Sequence, residues 1–413
     1  MNQRRVLVIL PRIPFPARDG AEVVMSDTLT AMAEAGYAVD VFALNPRKSH
    51  RDPNVLASYC RRYAAVNIDT TVHALSLAAE LVRPERYDID NTTLHTSYWI
   101  SRFIDRTALC ALQDFVDAHG PYDVIHCETL FTVYYGLALR ESTRCAVVYR
   151  SHNVEWRIQS TLADESHNGV VRRMVHRRLA EQTELYERSV SRMVDAIACI
   201  SHVDASWYSQ AATGVLLSTI EPGVRCNNVD ERDYNEPTIG FIGSLDWEPN
   251  TVGVLWFINS VMPIVRRRKP DISFVIAGRN SETFVRTLAN TNNIRCLGEV
   301  PSSSEFLADR HVVIAPLFSG SGVRIKLLEA FGMAKAVVTT KMGASGLDIQ
   351  HGVHCLIADT AEEFADACML LLDNESLRNT IGKNAQAWVS RTHSWDVAID
   401  DLVNLYDRAS QRL

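Results

Sequence analysis

Phe318-Ser-Gly-Ser-Gly-Val-Arg-Ile-Lys-Leu-Leu-Glu329 is the stretch on which the fold turns. It follows His311-Val-Val-Ile-Ala-Pro-Leu317, an apolar run that reads as a buried strand. Its end overlaps Leu327-Leu-Glu-Ala-Phe-Gly-Met-Ala334, which reads as a helix. A strand, a Gly/Ser loop and a helix start make an anion site, because glycines let the backbone come close and the first N–H groups of a helix lack partners. Arg324 and Lys326 place two positive charges there, and a cation in the first helical turn opposes the helix dipole. The pair therefore calls for an anion. Glu329 follows about one turn later. Two cations and one carboxylate around bare backbone suit a ligand with both phosphates and hydroxyls, and a nucleotide sugar has both.

Moving outward, the same strand-then-glycine pattern recurs. Thr238-Ile-Gly-Phe-Ile-Gly-Ser244 and Ile272–Ala277 with Gly278 repeat it, and Ile294–Leu297, Val312–Ala315 and Ala336–Thr339 read as further strands. Upstream, Val6–Leu10 is a continuous apolar run suited to a central parallel strand. A Pro/Gly loop from Pro11 to Gly20 leads to a helical pattern over Ala21–Ala35, ended by Gly36. Val39–Ala43, Val124–Cys127, Cys145–Tyr149 and Ala196–Ile200 read as strands, with helical patterns around Tyr98–Ala118 and over the Arg-rich Val170–Val190. Residues 45–120 otherwise resist assignment. The expected class is α/β, with two doubly wound domains facing across a cleft. The predicted division is 1–215, a linker at 216–235 containing Pro222 and Gly223, a second domain at 236–390, and a helix in 391–413 with Trp395, Ile399, Leu402 and Tyr406 at helical spacing.

A length of 413 residues calls for two or three domains, and 47% hydrophobic content supports packed cores. A formal net charge of -7 argues against a nucleic-acid-coating protein. Nine scattered cysteines without a C-x-x-C pair argue against a disulfide framework or a structural zinc site and fit a reducing cytosol. The apolar run after Met1-Asn-Gln-Arg-Arg5 is too short for a signal peptide, and no run approaches a membrane span. The expected location is cytoplasmic. The Arg-rich helix, with Arg172, Arg173, Arg177 and Arg178 beside Val170, Val171 and Met174, reads equally as a solvated face or as a contact with anionic membrane on its inner side.

Ligands of doubly wound domains bind at the carboxyl ends of strands. Besides the opening stretch, three groups fall there. Asp19-Gly20 follows the first strand and reads equally as a phosphate or acceptor loop and as a helix-starting turn. His152, in Tyr149-Arg-Ser-His-Asn-Val-Glu155, sits where a strand opens into the cleft and can donate to a hydroxyl or phosphate; Asn153 reads as a helix cap. Gly243 and Ser244 could meet phosphate, though their loop lacks Arg and Lys, and Asn250 reads as a cap. Asp88-Ile-Asp90 lies away from strand ends and reads as chance. There is neither a G-x-S-x-G nucleophile elbow nor a P-loop.

Ser151-His-Asn-Val-Glu155, Phe241-Ile-Gly-Ser244, Phe274-Val-Ile-Ala-Gly278 and Gly320-Ser-Gly-Val-Arg-Ile-Lys-Leu-Leu-Glu-Ala330 through Gly346-Leu-Asp348 resemble family 4 of the retaining glycosyltransferases, also called glycosyl transferases group 1. The likeness is to bacterial members of exopolysaccharide assembly and covers almost the whole chain. It implies the GT-B fold: an amino-terminal Rossmann-like domain for the acceptor and a carboxy-terminal one for the nucleotide sugar. It implies a donor site of Gly243, Ser244, Gly320, Ser321, Gly322, Val323, Arg324, Lys326 and Glu329, with Glu329 on the ribose and Arg324 and Lys326 on the diphosphate. His152, Arg324 and Lys326 would be the catalytic groups, and Asp19 and Gly20 the acceptor or phosphate loop. The family's Glu-x7-Glu is incomplete, because Ser321 stands where the first glutamate belongs. That leaves the sugar unread. The implied reaction is metal-independent, retaining glycosyl transfer from a nucleoside-diphosphate sugar, which is a substrate, so no cofactor is expected. The implied acceptor is a glycan or polyprenyl-linked glycan. The alternatives are a non-catalytic sugar-nucleotide-binding or scaffold subunit and a GT-B-like nucleotide-sugar epimerase.

Overall fold

The computed structural model describes residues 4–89, 92–164, 169–226, 237–286, 293–319 and 324–413. The chain divides into two units, Met1–Glu221 with Ala398–Leu413, and Pro222–Val397.

The first unit is built on a seven-stranded parallel sheet. In spatial order the strands are Arg62–Ile68, Ala38–Pro46, Arg5–Leu10, Val124–Glu128, Ala146–Ser151, Ala196–Cys199 and Leu216–Thr219. Helices cover its strands, so the central ones are buried on both faces and read as unbroken apolar runs. Val6 to Leu10 are all essentially inaccessible. The strand order reverses beside Arg5–Leu10, which pairs with Ala38–Pro46 on one edge and Val124–Glu128 on the other. Such a reversal opens a crevice at the carboxyl ends of the strands.

Helix Gly20–Glu34 follows the first strand. Asp19 caps it by accepting from the Glu22 N–H at 3.0 Å, and Gly36, at φ 85°, turns the chain out of it. The pattern over Tyr98–Ala118 is two helices, Tyr98–Ser101 and Arg106–His119. Asp105 breaks them by capping the second, accepting from the Ala108 N–H at 2.9 Å. The segment 45–120 also holds strand Arg62–Ile68, helix Ala74–Val82 and a hairpin of Arg86–Ile89 with Thr92–His95. Asp90 lies outside the described residues.

Two boundaries differ from the sequence expectation. Leu216–Thr219, assigned to the linker, is the last strand of the first sheet, paired in register with Ala196–Cys199. It is a half-buried edge strand whose short apolar start, Leu216-Leu217, gives way at once to Ser218 and Thr219. The final helix, Trp395–Ser410, starts in the second unit and ends in the first. Leu402, Leu405 and Tyr406 form its buried stripe, Arg4 pairs with Asp407, and Arg412 donates to the Gly214 carbonyl at 3.0 Å. The Arg-rich stretch is helix Val170–Ser191. One face of its second half is buried from Leu179 onward, while Val170, Val171 and Met174 are exposed. No described helix is long and apolar enough to cross a membrane.

The second unit has a six-stranded parallel sheet in the order Ile294–Cys296, Ser273–Ala277, Thr238–Ile242, Val312–Ala315, Ala336–Thr339 and Leu356–Ile357. One core layer gathers Phe257, Phe274 and Phe364, the other Leu327, Phe331 and Val389, one on each side of the sheet. The strand order reverses beside Thr238–Ile242. The expected fold class, two doubly wound Rossmann-like α/β domains, is the observed one.

Candidate active site

In the second unit the groups gather at the carboxyl ends of the strands. Gly243 follows Thr238–Ile242, Gly278 follows Ser273–Ala277, and Arg324 directly precedes helix Ile325–Gly332 beyond Val312–Ala315. Two glycines let these loops approach. A Cβ on Gly278, at φ 130°, would stand 2.1 Å from the Gly243 carbonyl oxygen. A Cβ on Gly253 would stand 1.8 Å from the Pro316 carbonyl oxygen, so that glycine lets helix Glu248–Trp256 lie against the loop after Val312–Ala315.

Lys326 is the hub. Its ammonium donates to the Asn250 Oδ1, and Asn250 Nδ2 donates to the Ser244 carbonyl at 2.7 Å. The ammonium also lies 4.9 Å from the Phe241 ring centre and 5.9 Å from that of Trp247. Desolvation, reinforced by Arg324 and opposed by Glu329, pulls its pKa down to about 7. Arg324 is itself buried, and desolvation lowers its pKa as well. Glu329, one turn along, accepts from the Ser303 hydroxyl at 3.2 Å. Thus the structure brings Gly243, Ser244 and Lys326 together through Asn250. The Gly243 loop lacks cations in sequence, and Lys326 supplies one from another segment. Asn250 is not the expected cap: it lies inside helix Glu248–Trp256 and its side chain joins the loop to the lysine. Gly320, Ser321, Gly322 and Val323 lie outside the described residues.

In the first unit His152 follows strand Ala146–Ser151 and is almost fully buried. Its Nε2 lies 2.6 Å from Glu128 Oε2. Glu128 ends the neighbouring strand, and its Oε1 lies 3.0 Å from His126 Nε2. His126 Nδ1 is in turn 2.6 Å from the Tyr406 hydroxyl of the final helix. Burial raises the pKa of Glu128, but its close contacts with His152 and His126 outweigh it and hold the carboxyl well below its ordinary range. Arg150, fully buried, holds the register position opposite Glu128. The loop after His152 is anchored from below. Glu187 accepts from the backbone N–H of Glu155 and Trp156 at 3.2 and 3.3 Å and from the Tyr208 hydroxyl at 2.6 Å. Asn153 is not seen capping the following helix with its side chain; its carbonyl accepts from the Ser151 hydroxyl at 2.9 Å.

Asp19 stands at the turn into its helix. Besides capping its helix it accepts from Arg12 Nη2 at 2.8 Å on both carboxylate oxygens, and buried Glu22 pairs with Arg51 at 2.8 Å. Gly20 is the first residue of that helix. Sequence reading missed Glu128, His126, Tyr406 and Ser303. A signal existed for two of them: His126 and Glu128 alternate along one strand and so share a face.

Comparison with known proteins matches residues 18–227, just over half of the chain, to the model described as Glycosyltransferase Family 4, and residues 236–374 to Glycosyl transferases group 1. Over 282 residues the chain is 25% identical to an uncharacterized 44.6 kDa protein in the cps region of Klebsiella pneumoniae, which spans 66% of this chain and 71% of the relative. Sucrose-phosphate synthase from Thermosynechococcus elongatus superposes with a TM-score of 0.66 at 14% identity, over 99% of this chain and 100% of that one. HepE of Anabaena, solved with UDP and glucose, superposes with a TM-score of 0.62 at 14% identity, over 96% and 98%. With its family matched across more than half its length, and with two doubly wound domains in the likeness of GT-B structures, the chain belongs to glycosyltransferase family 4.

Proposed function

We propose that this glycosyltransferase moves a sugar from a nucleoside-diphosphate donor to a glycan or polyprenyl-linked glycan in bacterial polysaccharide assembly, with retained anomeric configuration. The observation that carries the reading is the cationic helix start of the second unit, where Lys326 reaches the Gly243 loop through Asn250, with Arg324 beside it and Glu329 one turn away. Negative charge builds on the diphosphate as the glycosidic bond breaks. Fixed cations and backbone N–H groups stabilise that charge without a metal ion. Glu329 suits the ribose hydroxyls as an acceptor. His152 supplies the polar contact to the reacting sugar. The cps-region relative supports a place in polysaccharide assembly, and the UDP and glucose in the Anabaena structure support a nucleotide-sugar donor.

The acceptor and location belong to the same proposal. The enzyme works in the cytoplasm, with peripheral contact to the anionic inner membrane face. That contact is supported by Val170, Val171 and Met174, 71%, 75% and 65% exposed, on a helix that also carries Arg172 and Arg177 on its surface.

The test is transfer and donor hydrolysis with a panel of UDP-, GDP- and ADP-sugars, followed by Arg324→Ala with the donor that works. Removing a fixed cation from the leaving group should cost about 10²- to 10³-fold in turnover. Transfer near the wild-type rate in that variant overturns the assignment. Binding of a donor without turnover of any in the wild type would favour the scaffold reading instead.

A further inference from the structure

His152, Glu128, His126 and Tyr406 form one continuous chain of hydrogen bonds, and each is almost fully buried. An ionised carboxylate can only accept, so both imidazoles must donate to Glu128 through Nε2. Burial keeps the Tyr406 hydroxyl protonated, which lets it donate to His126 Nδ1. With both rings neutral, one proton arrangement satisfies every link. Its only loose end is His152 Nδ1, which is buried and has no hydrogen-bond partner among the described residues. A buried ring nitrogen left open beside a fully bonded one calls for a ligand group.

The backbone adds an independent sign. Thr129, directly after Glu128, sits at φ 67° and ψ 165°, a conformation that a β-branched residue adopts at a cost. It is held there by its own N–H donating to the Arg150 carbonyl at 3.0 Å. The Thr132 hydroxyl donates to the Glu128 carbonyl at 2.7 Å. Strain maintained next to a buried carboxylate fixes where that carboxylate points.

We propose that Glu128 is a positioning residue that locks His152 in the Nε2–H tautomer, so that Nδ1 offers its lone pair to a hydroxyl of the sugar or acceptor. His126 and Tyr406 hold Glu128 from its other side, which ties the final helix of the chain to the reaction. The inference rests on the reading of His152 as a group that touches substrate.

The first experiment needs no activity: long-range 1H–15N NMR of 15N-histidine-labelled protein, with His152 and His126 assigned through His152→Asn and His126→Asn. Both rings should show the Nε2–H tautomer. An Nδ1–H His152 overturns the proposal. Glu128→Gln offers one acceptor and one donor in place of two acceptors, so one of the two rings must switch to Nδ1–H. Persistence of both tautomers in that variant also overturns it. In kinetics, Glu128→Gln should lower kcat by about 10- to 100-fold, the usual cost of losing an outer-shell partner, with donor KM within twofold. Tyr406→Phe should lower kcat by a smaller factor in the same direction. If the tautomers are as stated but kcat is unchanged in both, the positioning role is wrong. If His152→Asn itself transfers sugar at the wild-type rate, the fault lies with the functional reading instead. Should Glu128→Gln fail to fold, the wild-type tautomer and Tyr406→Phe decide.

Discussion

Lys326 makes donor binding depend on pH in a way that can be worked out in advance. Desolvation and the neighbouring Arg324 lower its pKa to about 7, while Glu329 pulls the other way and Asn250, Phe241 and Trp247 fill the rest of its surroundings. A diphosphate beside it favours the charged form and restores the pKa. Binding therefore takes up a proton wherever the free lysine is neutral. At pH 8.5 a group of pKa 7 is about 3% charged, so affinity should fall about 30-fold from its value below pH 6, or about 2 kcal/mol. A nucleoside-diphosphate sugar carries the same charge throughout this range, so the change belongs to the protein. Calorimetry of donor binding at pH 8 in buffers of different ionisation enthalpy should register uptake of close to one proton. Lys326→Arg, charged at every pH used, should bind with an affinity that is flat from pH 6 to 8.5. A wild-type affinity that is flat over the same range, with no proton uptake, would refute the placing of Lys326 against the phosphates.

Gly278→Ala should destabilise the second unit by about 3 kcal/mol, because the added methyl meets the Gly243 carbonyl in a backbone conformation that favours glycine. Urea unfolding measures it, and a loss below about 0.5 kcal/mol would contradict the close approach of those two loops. Buried Glu187 has its pKa raised to about 8 by desolvation, opposed by the Tyr208 hydroxyl, with Glu155 adding to the rise. Its folded pKa lies above its unfolded one, so its contribution is complete at low pH and is lost as pH rises through 8. That contribution should fall by up to about 1.4 kcal/mol per pH unit between pH 5.5 and 7.5, the most a single proton can give. Glu187→Gln should remove most of that slope, and an equally steep slope in the variant would clear this residue of the effect.

The local elements were legible where burial is symmetric. Val6–Leu10 and Val312–Ala315 lie between helix layers, so both faces of each strand are apolar and the run itself is the signal. Arg62–Ile68 gave no such signal, because it is an edge strand whose residues are mostly half-exposed. The loop glycines were legible for a related reason, since backbone that must come within 3 Å of other backbone excludes a Cβ whatever surrounds it.

Polar pairing is a different matter, because it is decided by topology rather than by period. Asn250 looks like a cap from its neighbours, yet Lys326, 76 residues away, claims its side chain. His126 and Glu128 share a strand face by alternation alone, but what makes them chemical is the adjacent strand ending at Ser151, which delivers His152 to the same carboxylate. Tyr406 is the extreme case. It lies 280 residues from His126, and its helix shows a plain apolar stripe that would suit either unit. Its fully buried hydroxyl takes His126 of the first unit as its partner, a contact no local pattern announces. Read this way, the return of the final helix to the first unit is more than packing. The same contact that satisfies a buried phenol fixes the far end of the chain of hydrogen bonds that reaches His152.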